Sequence, residues 1–337
     1  MRRRRAARAP GRARARGDRA ARSDVEGERA ARDRSGGATV VNAPWALSID
    51  VEEYFQVANL RAAFPESSWD RLDSRLDHGM DALLGALERH RAHATFFFLG
   101  WVAERRPDLV RRCRELGHEI ASHGFAHAFL WDIGEPGLDA ELARTERALV
   151  AACGERPLGF RASNFTLTRR TWWAFELLAR RGYVYDSSVH PVRHPTYGVP
   201  DFEPGLSRVP TRAGREILEF PVATARLFGR NAPVGGGGYF RLLPLAVTRA
   251  ALRSVERAQR PVALYFHPWE FDPAQPRVAV GAWKRFRHYV NLARTLPRLE
   301  ALLARRPSTS MRGVLEQLGA WPTLGADAAQ PSVRPPG

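Results

Sequence analysis

From residue 45 onward, short runs rich in β-branched and aromatic residues alternate with longer segments whose apolar positions recur every three or four residues. Seven of the short runs predict strands: 45–50 (WALSID), 94–99 (ATFFFL), 118–122 (HEIAS), 158–162 (LGFRA), 183–187 (YVYDS), 217–222 (ILEFPV) and 262–267 (VALYFH). Between them, LDHGMDALLGALERH aligns Leu76, Met80, Leu83, Leu84 and Leu87 on one helical face, and TRRTWWAFELLARRG ends at Gly182, a natural helix stop. Strands alternating with helices predict an α/β fold with a parallel sheet, here one domain over 41–306. The Pro- and Gly-rich stretch 188–216 reads as a long surface loop. Past Pro307 come a short helical candidate and a Pro-rich run, so 307–337 is assigned as a C-terminal tail. Residues 1–40 have no periodic apolar face and are expected to form a disordered Arg/Ala-rich arm.

Polar residues fall at the ends of these strands. Asp50 closes the first, His123 and His127 follow the third, Arg161 and Asp186 end the fourth and fifth, and His267 ends the last. In a barrel of parallel strands those ends share one face, where chemistry gathers. The His123 and His127 imidazoles, one helical turn or one tight loop apart, can converge on a metal ion, although two unrelated histidines would read the same way. The spacing is wrong for H-E-x-x-H, so a third ligand must come from a distant segment. In SIDVEEYFQV, period-two alternation puts Asp50 and Glu52 on one side and Glu53 on the other. One carboxylate can then bind a cation while the other serves as base, with Glu53 as the rival ligand.

Charge changes this picture little. The net charge is +16, but Lys284 is the sole lysine among 52 basic residues, a bias that points to a GC-rich genome. The first 34 residues hold 13 arginines against 5 acids, half of the whole excess. Nucleic acid is therefore not an expected partner of the folded domain. No run approaches the roughly 20 apolar residues of a membrane span, and no apolar stretch follows the arginines as in a secretory signal. The expectation is a cytoplasmic protein without stable membrane insertion. Cys113 and Cys153 lack metal-type spacing and read as ordinary helical thiols. Gly235 to Gly238 lack the Lys-Ser/Thr of a phosphate loop and read as a flexible or closely approaching loop, or a plain turn.

The ordered motifs D-x-E, H-G-x-x-H, F-R-A, D-S-S and LYFHPWEFD resemble the polysaccharide deacetylases of NodB homology. SIDVEEYFQV, DSSVHP and GGGGYFRLLP further resemble the subgroup from exopolysaccharide loci linked to exosortase sorting. The resemblance covers roughly residues 45–290. It implies a distorted (β/α)7 barrel and removal of N-acetyl groups from amino sugars of a polysaccharide or oligosaccharide. It also implies a divalent cation, Zn²⁺ first and Co²⁺ or another second. Position by position, Asp50 matches the catalytic base, and Glu52, His123 and His127 match the metal ligands. Arg161 matches the arginine that orients the base, Asp186 the carboxylate that tunes the acid, and His267 the general acid. Glu52 departs from the usual aspartate, and RASNF departs from R-A-P. Tyr239 and Trp269 are candidate sugar-stacking rings. Hydrolysis of another small amide or formyl group, or a catalytically silent glycan-binding barrel, are the competing readings.

Overall fold

The computed structural model describes residues 43–322 except 195 and 213. The expected arm and the end of the expected tail lie outside these residues.

Ten strands form in chain order: β1 (Trp45–Val51), β2 (Thr95–Phe98), β3 (Glu119–Ser122), β4 (Gly159–Phe160), β5 (Tyr185–Asp186), β6 (Ser207–Pro210), β7 (Glu216–Glu219), β8 (Thr224–Leu227), β9 (Arg230–Pro233) and β10 (Val262–Phe266). Eight share one sheet in the order β10-β1-β2-β3-β4-β5-β7-β6, and β8 and β9 form a separate hairpin. The seven predicted strands are the seven parallel ones. An eighth, β6, pairs antiparallel with β7 inside the stretch expected to be a surface loop. That stretch also buries Val189, His190, Val192 and Val199, because its valines pack as core.

The sheet curls, but among the described residues no ladder closes it. Beyond β7 the backbone N–H of Ala223 reaches the Ala263 carbonyl at 2.9 Å, and the Tyr265 N–H reaches the Gly235 carbonyl at 2.8 Å. Gly235 and Gly236 make this approach possible: a Cβ at Gly236 would lie 1.9 Å from the Tyr265 carbonyl oxygen, and its φ is +153°. The glycine run therefore closes the fold instead of forming a flexible loop.

Every residue of β1 is buried, as in a parallel strand covered on both faces. Leu47, Ile49 and Val51 join the outer core with Leu76, Met80, Leu83, Leu84 and Leu87 of helix Leu76–Arg89. Ala46 turns inward with Phe97, Ala121 and Ala263, where small residues leave room. Met311, Val314 and Leu315 of helix Met311–Gln317 fill that space. Thr309 and Trp45 also exchange backbone contacts, Thr309 N–H to Trp45 O at 3.0 Å, and Leu47 N–H returns to Thr309 O at 3.0 Å. The domain boundary expected at 306 is thus misplaced: at least as far as Trp321, which packs on this cluster, the chain belongs to the barrel. A tail this short disguises a core helix because it shows only two turns of apolar spacing. Leu315→Ala is expected to cost about 2–5 kcal/mol, read as a lower denaturant midpoint with an unchanged slope.

Candidate active site

Residues of the strand ends meet where the parallel strands finish. Ser48, Asp50 and Glu52 share one side of β1 and its extension, as the period-two alternation requires. Arg161, fully buried just past β4, donates from one terminal nitrogen to Asp50 Oδ1 at 2.6 Å and to Ser48 Oγ at 2.9 Å. Its Nε reaches the Ser187 carbonyl at 3.1 Å and its other terminal nitrogen the Ser187 hydroxyl at 2.9 Å. The guanidinium also lies 4.3 Å from the Phe97 ring centroid. A buried cation so surrounded is paired and oriented, and it fixes one oxygen of Asp50.

Glu52, His123 and His127 form a compact cluster whose donor atoms lie within 4.8 Å of one another, all buried. The two histidines sit in a tight loop after β3, with Gly124 at φ +74° and His127 itself at φ +55°. Glu141, from helix Leu130–Cys153, accepts from the N–H groups of Phe125 and Ala126 and holds that loop. His123 Nδ1 donates to the Arg161 carbonyl at 2.8 Å, which leaves the Nε2 lone pair free to bind a cation. His127 Nε2 lies 2.7 Å from Glu52 Oε2. That oxygen nevertheless has no hydrogen-bond partner among the described residues, so two buried ligand atoms face a common point without satisfying each other. The other oxygen, Oε1, accepts from the Trp269 indole at 3.0 Å. Burial opposes ionisation of Glu52, yet His127 and His267 outweigh it and hold the carboxyl at about 2. An anionic carboxylate with two imidazoles suits a Zn²⁺-like ion.

Glu53 points elsewhere. Its Oε2 accepts from the Arg75 N–H at 3.0 Å, at the start of helix Leu76–Arg89. Burial pushes its carboxyl up.

His267 follows β10. Its Nε2 lies 3.9 Å from Asp50 Oδ2 and 3.6 Å from Glu52 Oε1, and the side chain is 17% exposed. Burial would push the imidazole down, but Glu52, Glu270 and Asp50 prevail and raise it to about 9. The partner at Nδ1 is Glu270, at 2.8 Å, and Glu270 is held in turn by buried Arg241 at 2.7 Å.

Here two expectations need correction. Asp186 has no contact with His267 among the described residues. It accepts from Ser188 N–H at 2.9 Å and Ser188 Oγ at 2.6 Å, and the Ser188 hydroxyl accepts from the Ala162 N–H. Burial raises the Asp186 carboxyl, and burial with Asp186 nearby raises buried Glu219 well above its ordinary value. D-S-S therefore braces the turn carrying Arg161. Trp269, the second case, is buried and stacks with His267 at 5.2 Å and His288 at 4.4 Å, which leaves it a positioning ring instead of a sugar platform. Tyr239 is 38% exposed, beside Tyr197.

Glu270, Arg241 and Asn164 are the site residues that sequence reasoning missed. Glu270 stands three residues after His267 within the quoted LYFHPWEFD, one turn away, and that spacing was the available signal. Arg241 sits in the quoted GGGGYFRLLP, but nothing local marks it as buried. Asn164, at φ +54°, lies with its amide 3.5 Å from His127 Nδ1.

Residues 69–183 match the family described as Polysaccharide deacetylase, and residues 187–316 match a domain of unknown function, DUF3473. Over 76 residues the chain is 38% identical to a chitooligosaccharide deacetylase of Rhizobium leguminosarum bv. trifolii, which is 23% of this chain and 35% of that protein. Over 75 residues it is 35% identical to a peptidoglycan-N-acetylglucosamine deacetylase of Bacillus cereus, 22% of this chain and 27% of that one. The chain thus spans about a third of the length of the curated relatives it matches. In fold it is similar to a putative polysaccharide deacetylase from Mycobacterium smegmatis, with a TM-score of 0.55 and 20% identity over 88% of this chain and 96% of that one. A similar likeness, TM-score 0.54 and 16% identity over 82% and 91%, joins it to the PuuE allantoinase. The two family matches adjoin within one barrel: the first brings His123, His127 and Arg161, the second His267, Glu270 and Arg241. On these grounds the chain is similar to the polysaccharide deacetylases of NodB homology over residues 69–183 and shares their fold.

Proposed function

We propose that the protein is a metal-dependent hydrolase that removes N-acetyl groups from amino sugars of a polysaccharide or its precursor. The observation that carries this reading is the opposition of Asp50 and His267, 3.9 Å apart beside the Glu52, His123 and His127 cluster. A divalent cation there, Zn²⁺ first, would polarise the acetamide carbonyl and make water easier to deprotonate.

The remaining work belongs to the chain. Arg161 occupies Asp50 Oδ1, so Oδ2 is the oxygen left to take the proton of attacking water. An amide nitrogen leaves poorly unless protonated, and His267 Nε2 faces the same space with its Nδ1 anchored on Glu270. The Trp269 indole fixes Glu52 Oε1 and turns Oε2 toward the histidines. The resemblance to exosortase-linked deacetylases supports a place in exopolysaccharide synthesis.

Acetate release from N-acetylglucosamine oligomers tests the reading. Activity should vanish with a chelator and return with Zn²⁺ or Co²⁺; metal-replete protein without acetate release would refute it. Glu270→Gln should lower kcat and leave KM and bound metal unchanged, by less than the roughly 10²–10⁴-fold loss that removing His267 itself brings. Unchanged kcat would return Glu270 to a purely structural place.

A further inference from the structure

Helix Ala282–Tyr289 is buried at one end and bare at the other. His288 and Tyr289 are buried, whereas every residue from Gly281 to Phe286 is exposed. Trp283 is 66% and Phe286 47% exposed, and their rings stack on each other, centroids 5.8 Å apart at 23°, in place of packing on the core. Around them the segment 276–287 carries Arg277, Lys284, Arg285 and Arg287 and no acid. None of these four forms an ion pair among the described residues. Elsewhere on the surface arginines are commonly paired, as in Arg105 with Asp70 and Arg144 with Glu104. Composition alone therefore does not explain this patch.

We infer that this helical turn is a docking surface for an anionic lipid bilayer. Two stacked, exposed aromatic rings on one helical turn suit the headgroup and acyl boundary, and the four flanking cations suit lipid phosphates. Other occupants fit less well. A deacetylated amino-sugar polymer is itself cationic and would be repelled. A second copy of the chain would bring four more cations against these four. A nucleic acid strand is usually held in a groove that tracks its backbone, whereas these two rings stand exposed on one helical turn. The same helix reaches the site through His288, which stacks on Trp269, so docking would set the site near the bilayer surface. The inference requires no particular reaction at the site, because binding is measured without turnover.

Co-sedimentation of the full chain with vesicles tests it, using three parts phosphatidylcholine to one part phosphatidylglycerol against pure phosphatidylcholine. The N-terminal arginines can also hold anionic vesicles, so the comparison is between the wild-type chain and variants that share that arm. Trp283→Ala with Phe286→Ala should lower partitioning onto the anionic vesicles by about tenfold or more, with melting temperature unchanged. Lys284→Gln and Arg285→Gln should each lower it by roughly fivefold. Aromatic variants that partition like wild type would overturn the inference. So would a loss of self-association in those variants without a loss of vesicle binding, or a weakened hold on single-stranded DNA with vesicle binding intact.

Discussion

Asp50→Asn is expected to leave the fold and the bound metal intact and to lower turnover by about 10²–10⁴-fold. Asparagine keeps an oxygen where Arg161 and Ser48 converge, so the buried guanidinium retains an acceptor. The substitution removes the basic oxygen that faces His267. Because Arg161 is fully buried and bonded on every side, it cannot follow a change at Asp50, and the geometry should persist. Circular dichroism and elemental analysis check the fold and the metal, and acetate release checks turnover. A variant that loses its metal while Glu52→Gln keeps it would exchange the roles of the two carboxylates.

Much of this arrangement could be read from the chain because strands speak locally. The seven parallel strands show as apolar runs, and the residue closing each run falls on one face as soon as the strands are parallel. The side-by-side placement of Asp50 and Glu52 follows from alternation alone. What escaped were relations that no period encodes. Asp186 sits at a strand end like its neighbours, yet its partners are Ser188 and Glu219, two and thirty-three residues on, and the latter is fixed only by the pairing of β5 with β7. Arg241 reaches Glu270 across twenty-nine residues through the closure of the barrel. Trp269 reads as a sugar-stacking ring in the sequence because a ring two residues from His267 can face either way, and only packing against His288 decides. The helix Met311–Gln317 reads as tail in the sequence because its apolar side is complementary to small residues on β1, β3 and β10 and to Phe97 on β2, all far away in sequence.

The largest effect on the site is expected from the histidines. His123→Ala and His127→Ala should each bring bound metal well below one equivalent, since a three-residue ligand set loses much of its affinity with any member. The fold should survive, because both side chains stand in a loop beyond β3 and outside the hydrophobic clusters. His123→Ala should also loosen the Arg161 carbonyl that its ring now engages, so it is the variant in which turnover falls even at saturating metal. The carboxylates sharpen the test. Glu52→Gln removes the anionic oxygen facing His127 and should strip the metal, whereas Glu53→Gln touches only the start of helix Leu76–Arg89 and should leave it bound. Elemental analysis after dialysis against a weak chelator reads all four variants on one scale. Full occupancy in both histidine variants would mean that the cluster is a packed pair of imidazoles on a carboxylate and holds no ion.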